Sequence, residues 1–380
     1  MRGLLAHADL ARYAGQFVWL EINYDAAENG AFLTKYGAHS TPTFFVIDPQ
    51  DERVAATQTG AMSLSELDQF LDRGASAALA KRQTLADAAL TRGDSVLSRQ
   101  PAEAAKAYRA ALNAAPANWP RYALAEASLA GALQDSKEYQ RCAETAVAEA
   151  SHMNRDSMFA RTVVAGMWCV ASVDPAPWAD LASKKLEALA EEALRLPTTV
   201  RDHRDELYRT LMLISVNHND RVSAAKWGNR WLAELDAIEP RDDDERSAID
   251  IARVEDVQTF GDPNRILPAL LASEQTMPHN YNASLRVAQM ESAINNYREA
   301  VAACERGLAR SPGPDMRAWL LNIKADGLTK EGKVAEARRA NEEGLQAAQA
   351  IPQESMRQMY IGIFEKQLGN TGGKQSPEMK

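Results

Sequence analysis

The chain is poor in cysteine, poor in aromatic residues, without an excess of basic charge and without a long apolar run, and each shortage closes off a class of function. Three cysteines stand among 380 residues, Cys142, Cys169 and Cys304, with no Cys-x-x-Cys and no spacing that suits a zinc site. They read as small apolar residues at buried helical positions. Lys and Arg number 43 against 52 Asp and Glu, a formal charge of −9. The clustered positive charge that neutralises phosphates is missing, so no nucleic acid is expected as a partner. The longest nearly uncharged apolar stretch, 162–173, has twelve residues, where a membrane span needs about twenty; no membrane span is expected. The opening residues meet His7 and Asp9 before an apolar signal core forms, so the sequence as written reads as cytoplasmic.

Chemical motifs are equally scarce. His7, His39, His152, His203, His218 and His279 are dispersed, with no HExxH and no pair at helical ligand spacing. No nucleophile elbow, phosphate loop or dinucleotide fingerprint occurs. The sequence therefore predicts no metal, no cofactor and no catalytic residue. The acidic run from Glu239 to Glu245 lacks the turn glycine and alternating oxygens of a calcium loop and reads as the first turn of a helix.

What is present falls into two textures. From Phe17 to about Gly74 the apolar residues come in short β-rich runs, Phe17–Ile22, Thr43–Ile47 and Val54–Thr57, with helical patterns before, between and after them. The order reads α-β-α-β-β-α. Beyond Gly74 the strand signal ends, and Ala, Leu, Glu and Arg recur with helical period in segments punctuated by proline, from Pro101 to Pro352. The last stretch, 369–380, has little apolar content and reads as a disordered tail.

A repeat is embedded in the helical part. Ala104, Cys142, Ala300 and Ala337 each head a similar pattern, stepping by 38 and 37 within pairs and by 158 between them; Ala224, 76 before Ala300, extends the series. Tyr297-Arg298-Glu299-Ala300 and Val334-Ala335-Glu336-Ala337, each with glycine seven positions after the alanine (Gly307, Gly344), resemble tetratricopeptide repeats. The likeness weakens between about 150 and 280, where Trp168, Trp178 and Trp227 replace small residues. Trp227, Trp231 and Trp319 read as packing between hairpins. The resemblance implies a superhelix of helical hairpins over 76–368 with an extended concave face that binds protein.

Lys35-Tyr36-Gly37-Ala38-His39-Ser40-Thr41-Pro42-Thr43, followed by Phe44 to Asp48 and by Val54 to Gly60, resembles the second half of a thioredoxin over about 1–74. That resemblance implies a cis bond before Pro42, with Thr41 and Pro42 facing an extended peptide and His39 bordering the groove. It also implies bacterial relatives, often outside the cytoplasm. The family's dithiol would fall at or ahead of Met1, and the sheet's central strand with it, leaving Phe44, Phe45 and Trp19 poorly covered. Three explanations stay open: an internal methionine taken as the start, a fragment kept for packing, or another surface closing the gap.

The sequence thus predicts a partial α/β thioredoxin-like fold (1–74) joined to an all-α tetratricopeptide-like array. Its expected role is a protein-interaction scaffold with a redox-inactive thioredoxin-like module, its partner a protein or extended peptide. The alternative is a thiol-disulfide oxidoreductase or disulfide chaperone whose Cys-x-x-Cys lies upstream of Met1, which would place it in the periplasm.

Overall fold

The computed structural model describes residues 5, 7–24, 26–38, 41–60, 62–78 and 84–371. The chain divides into two units, the first made of Met1–Glu21 with Phe32–Gly228, the second of Ile22–Ala31 with Asn229–Lys380.

The first unit opens with a 3₁₀ turn, Ala8–Tyr13. It is pinned to α2 (Leu64–Ala78) by the Tyr13 hydroxyl, which donates to Asp72 Oδ1 (2.8 Å), and by an Arg12–Asp68 ion pair. Helix α1 (Gly30–Tyr36) precedes a two-stranded antiparallel sheet, β1 (Thr43–Ile47) and β2 (Val54–Thr59), with Phe44 opposite Gln58 and a register shift after Val46. Leu10, Tyr13, Val46, Ala55, Leu67, Phe70 and Leu71 form the core beneath it. Gly74 lets α2 lie on β1: a Cβ there would sit 2.5 Å from the Val46 side chain. Helix α2 runs uninterrupted through this residue.

The expected strand Phe17–Ile22 does not form. Its residues have β propensity, but a strand is made by a partner backbone, and no described residue supplies one. Phe44 and Phe45 are better covered than expected. Phe44 meets Phe70 (ring centroids 6.4 Å apart) and Phe45 meets Tyr36 (6.0 Å), so β1 is flanked by rings from α2 and α1.

Helical hairpins follow: α3 (Leu85–Val96), α4 (Pro101–Ala114), α5 (Tyr122–Asp135), α6 (Tyr139–Ala150), α7 (Ser157–Ala171), α8 (Pro177–Arg195) and α9 (Arg201–Asn217). Helix α10 (Arg221–Asp236) spans the boundary between units. The second unit then holds α11 (Asp243–Thr259), α12 (Pro263–Thr276), α13 (Tyr281–Ala293), α14 (Tyr297–Ala309), α15 (Pro314–Lys330), α16 (Val334–Gln349) and α17 (Glu354–Thr371). Within each unit a first helix touches its hairpin partner and also the next first helix, as α5 touches α7 and α13 touches α15. That is the packing of stacked hairpins, each burying its apolar side against its neighbours.

Local chemistry explains the helix ends. Thr84 and Asp87 form a reciprocal capping box on α3, while Asp156 and Asp242 cap α7 and α11. Pro101, Pro177, Pro263 and Pro314 occupy first turns, where their missing N–H costs nothing; Pro268 is the exception inside α12. The acidic run through Glu245 is the first turn of α11, as its composition predicts. Helix α17 reaches Thr371, past the expected end at 368, its last turns continuing from the packed Tyr360 and Phe364; residues 372–380 lie outside the described ones.

The repeat is confirmed at two levels. Ala104, Cys142, Ala224, Ala300 and Ala337 all lie on second helices of hairpins and are wholly buried. Four hairpin corners also share one backbone motif. Lys137, Asn219, Asn295 and Gly332 have φ between 59° and 76°. The next residue's N–H then reaches back five residues to a carbonyl: Glu138 to Leu133, Asp220 to Ser215, Asn296 to Glu291 and Lys333 to Leu328, at 2.8 to 2.9 Å. This left-handed C-cap satisfies carbonyls that the helix end would leave unpaired.

Candidate functional site

Of the residues singled out by the thioredoxin resemblance, Thr41 is exposed and Pro42 half-buried, and the bond between them is cis. The Pro42 carbonyl accepts the Gly60 N–H (2.9 Å), which closes the open end of the β1–β2 hairpin. His39 lies outside the described residues. The structure therefore brings Thr41 and Pro42 to the mouth of a hairpin; among the described residues two strands form, where the thioredoxin resemblance implied a larger sheet.

The sequence predicts Val18-Trp19-Leu20 as part of a strand, with Trp19 poorly covered. In the structure these residues are 88%, 49% and 73% exposed, in an extended stretch free of regular structure. Among the described residues none of them takes part in a hydrogen bond. A row of rings, Tyr13 to Phe17 (5.9 Å) and Phe17 to Trp19 (6.1 Å), ties the stretch back to the core. An apolar run with open N–H and C=O groups is a template for strand pairing.

A second feature of the first unit is buried charge. Arg73 of α2 pairs with Asp94 of α3 (2.9 Å), both nearly inaccessible, and the Tyr108 hydroxyl of α4 donates to Asp94 (2.9 Å). Burial pushes the Asp94 carboxyl above the usual range against the pull of Arg73, and raises the Tyr108 phenol well above 10. Arg161 of α7 lies in the field of Glu66, Arg73, Tyr108 and Asp94, and burial lowers its pKa. Buried His203 of α9 is pulled down to about 3, by burial first and Arg161 second. These groups fasten α2 to the first helices of the array.

The second unit carries its own polar cluster on α11 and α13. Arg286 Nη2 donates to Ser247 Oγ (2.9 Å), and Arg253 bridges Asp250 (3.0 Å) and Asp236 (2.9 Å). Glu274 of α12 accepts a two-pronged bond from Arg306 of α14 (3.0 and 2.9 Å). Burial opposes ionisation of Glu274, but Arg306, Ser284 and Arg310 outweigh it and hold its pKa low.

The cysteines need a correction. Cys142 and Cys169 are not separate packing residues: they form a disulfide joining α6 to α7, with Cα atoms 6.2 Å apart. Nothing in their spacing of 27 announces this. Cys304 is buried and free, as the sequence predicts, and burial pushes its thiol up to about 12. A thiol so rarely ionised is a poor nucleophile.

No family model matches the chain, and no curated protein matches it. Among solved structures it is similar to a tetratricopeptide repeat protein from Parabacteroides merdae (11% identity, TM-score 0.42) and to the TPR2AB-domain:pHSP90-complex of yeast Sti1 (14% identity, TM-score 0.29). Each match covers 74% of this chain and 98% of the other. Scores this low decide nothing about the fold, which rests on the hairpin packing described above.

Proposed function

We propose that this chain is a protein-interaction scaffold that captures an extended polypeptide segment. The observation that carries the reading is the exposed, unpaired Val18-Trp19-Leu20 stretch on the first unit, beside an array of stacked hairpins. A partner strand laid against it gains main-chain hydrogen bonds and covers alternate apolar side chains, the economy of strand addition. The helix–hairpin–helix segment around Thr41 and Pro42 acts in this reading as a thioredoxin-like docking module without redox chemistry of its own. The cysteines support that: two are locked in a buried disulfide and the third is buried and protonated. The disulfide also favours residence in an oxidising compartment.

Peptide-phage selection on the whole chain tests the reading. Extended sequences with alternating apolar residues are expected to be enriched, and a Leu20→Pro variant, which removes one main-chain donor at an exposed site, is expected to lose them. No enrichment, or equal capture by the variant, overturns the proposal.

A further inference from the structure

The α5–α6 hairpin brings together three side chains that the sequence scatters. Glu126 on α5, Glu149 in the last turn of α6 and His152 just beyond it place one ligand-type atom each within 4.8 Å of one another. His152 Nε2 lies 3.2 Å from Glu149 Oε2, close to the ~3.3 Å that separates ligands around a tetrahedral ion with bonds near 2.0 Å. Glu126 is only 3% exposed, and its Oε1 has no hydrogen-bond partner. Among the described residues no Lys or Arg forms an ion pair with Glu126 or Glu149. Burial first, and Glu149 beside it second, push the Glu126 carboxyl up to about 8. The Tyr122 phenol, one turn before Glu126, is raised by burial and by the same two glutamates, so it borders the pair.

Two carboxyls facing each other without a basic residue, one of them buried with an unpartnered oxygen, leave room for a positive charge between them. We propose that Glu126, Glu149 and His152 bind one divalent transition-metal ion of the zinc class on the α5–α6 hairpin, with water completing its coordination. Two carboxylates and a neutral imidazole balance a charge of +2. The imidazole favours zinc over calcium or magnesium, which are hard cations that take oxygen ligands. Sequence spacing predicted no metal because Glu126 comes from α5, while Glu149 and His152 stand at and just past the end of α6.

The test is calorimetric titration of the whole, untagged chain, stripped with chelator, with Zn²⁺ and separately with Ca²⁺ and Mg²⁺. One equivalent of zinc is expected to bind. His152→Ala, at an exposed position that leaves metal-free melting unchanged, is expected to weaken binding at least tenfold, and Glu149→Gln likewise. Cobalt substitution should give visible d–d bands without a thiolate charge-transfer band. Absence of stoichiometric zinc, unchanged binding by His152→Ala, a thiolate band, or equally tight calcium or magnesium binding each overturns the proposal.

Discussion

The two units build the same hairpin corner and differ in what else holds their helices together. The first adds a buried ion pair, Arg73–Asp94, and a disulfide, Cys142–Cys169, to its packing. The second has the closer match to the tetratricopeptide pattern and carries ion pairs of its own, such as Glu274–Arg306, while close glycine packing occurs in both, as at Gly93 against Tyr108 in the first. In the second, Gly344 of α16 admits the Phe364 ring of α17, where a Cβ would stand 2.3 Å away, and Cys304, four residues after the anchor Ala300, stays a buried thiol. Close packing and ion pairs are common to both units, and among the described residues the covalent link, Cys142–Cys169, falls in the first.

The sharpest break in this comparison is Asp94→Ala. It leaves Arg73 buried without a counter-charge and the Tyr108 hydroxyl without an acceptor, at a cost of about 3–5 kcal/mol. Urea unfolding measures it, and hydrogen exchange should show α2–α4 loosened while α13–α17 keep their protection. Next comes Cys142→Ala with Cys169→Ala: opening a loop of 27 residues should cost about 3–4 kcal/mol. Reductant should destabilise the unsubstituted chain similarly and leave the double variant unaffected.

A pH effect follows from His203. Its folded pKa of about 3 lies below the ordinary imidazole value, so the unfolded chain binds the extra proton between the two. The stabilisation is fully present above about pH 6.5 and fades as pH falls towards 3, by at most ~1.4 kcal/mol per pH unit. His203→Gln should flatten that slope in denaturant titrations run across the window. The smallest effect separates the corners themselves. Lys137→Gly in the first unit should gain about 1 kcal/mol, and Asn295→Gly in the second only a few tenths, because asparagine already tolerates the left-handed conformation. Paired thermal melts decide it.

The repeat anchors were legible because a small residue at a helix crossing leaves a mark at fixed spacing: Ala104, Ala300 and Ala337 are where the period placed them. Asn219 shows what was hidden. The α9–α10 corner has the same left-handed cap as the consensus-like corners, though the surrounding residues, Trp227 among them, obscure the pattern. Backbone geometry repeats there while side-chain identity does not. Phe17–Ile22 failed in the opposite direction. Its composition says strand, but composition cannot say whether a neighbouring backbone exists to receive it. Within the candidate sites, Thr41 and Pro42 were visible as a local motif; for Val18-Trp19-Leu20 the poor cover of Trp19 was foreseen and the missing strand was not.

Periodicity, capping and proline placement are short-range properties, written within a turn or two of chain, and from them the sequence by itself determined the hairpins, their ends and most of their buried faces. Which cysteines meet, which carboxyl is left beside another, and which β-rich run stays bare depend on residues brought together from distant positions, and only the tertiary structure decided them. The reason is that a bond, a charge or a desolvated edge takes its energy from the neighbour it is given, and linear order does not name that neighbour.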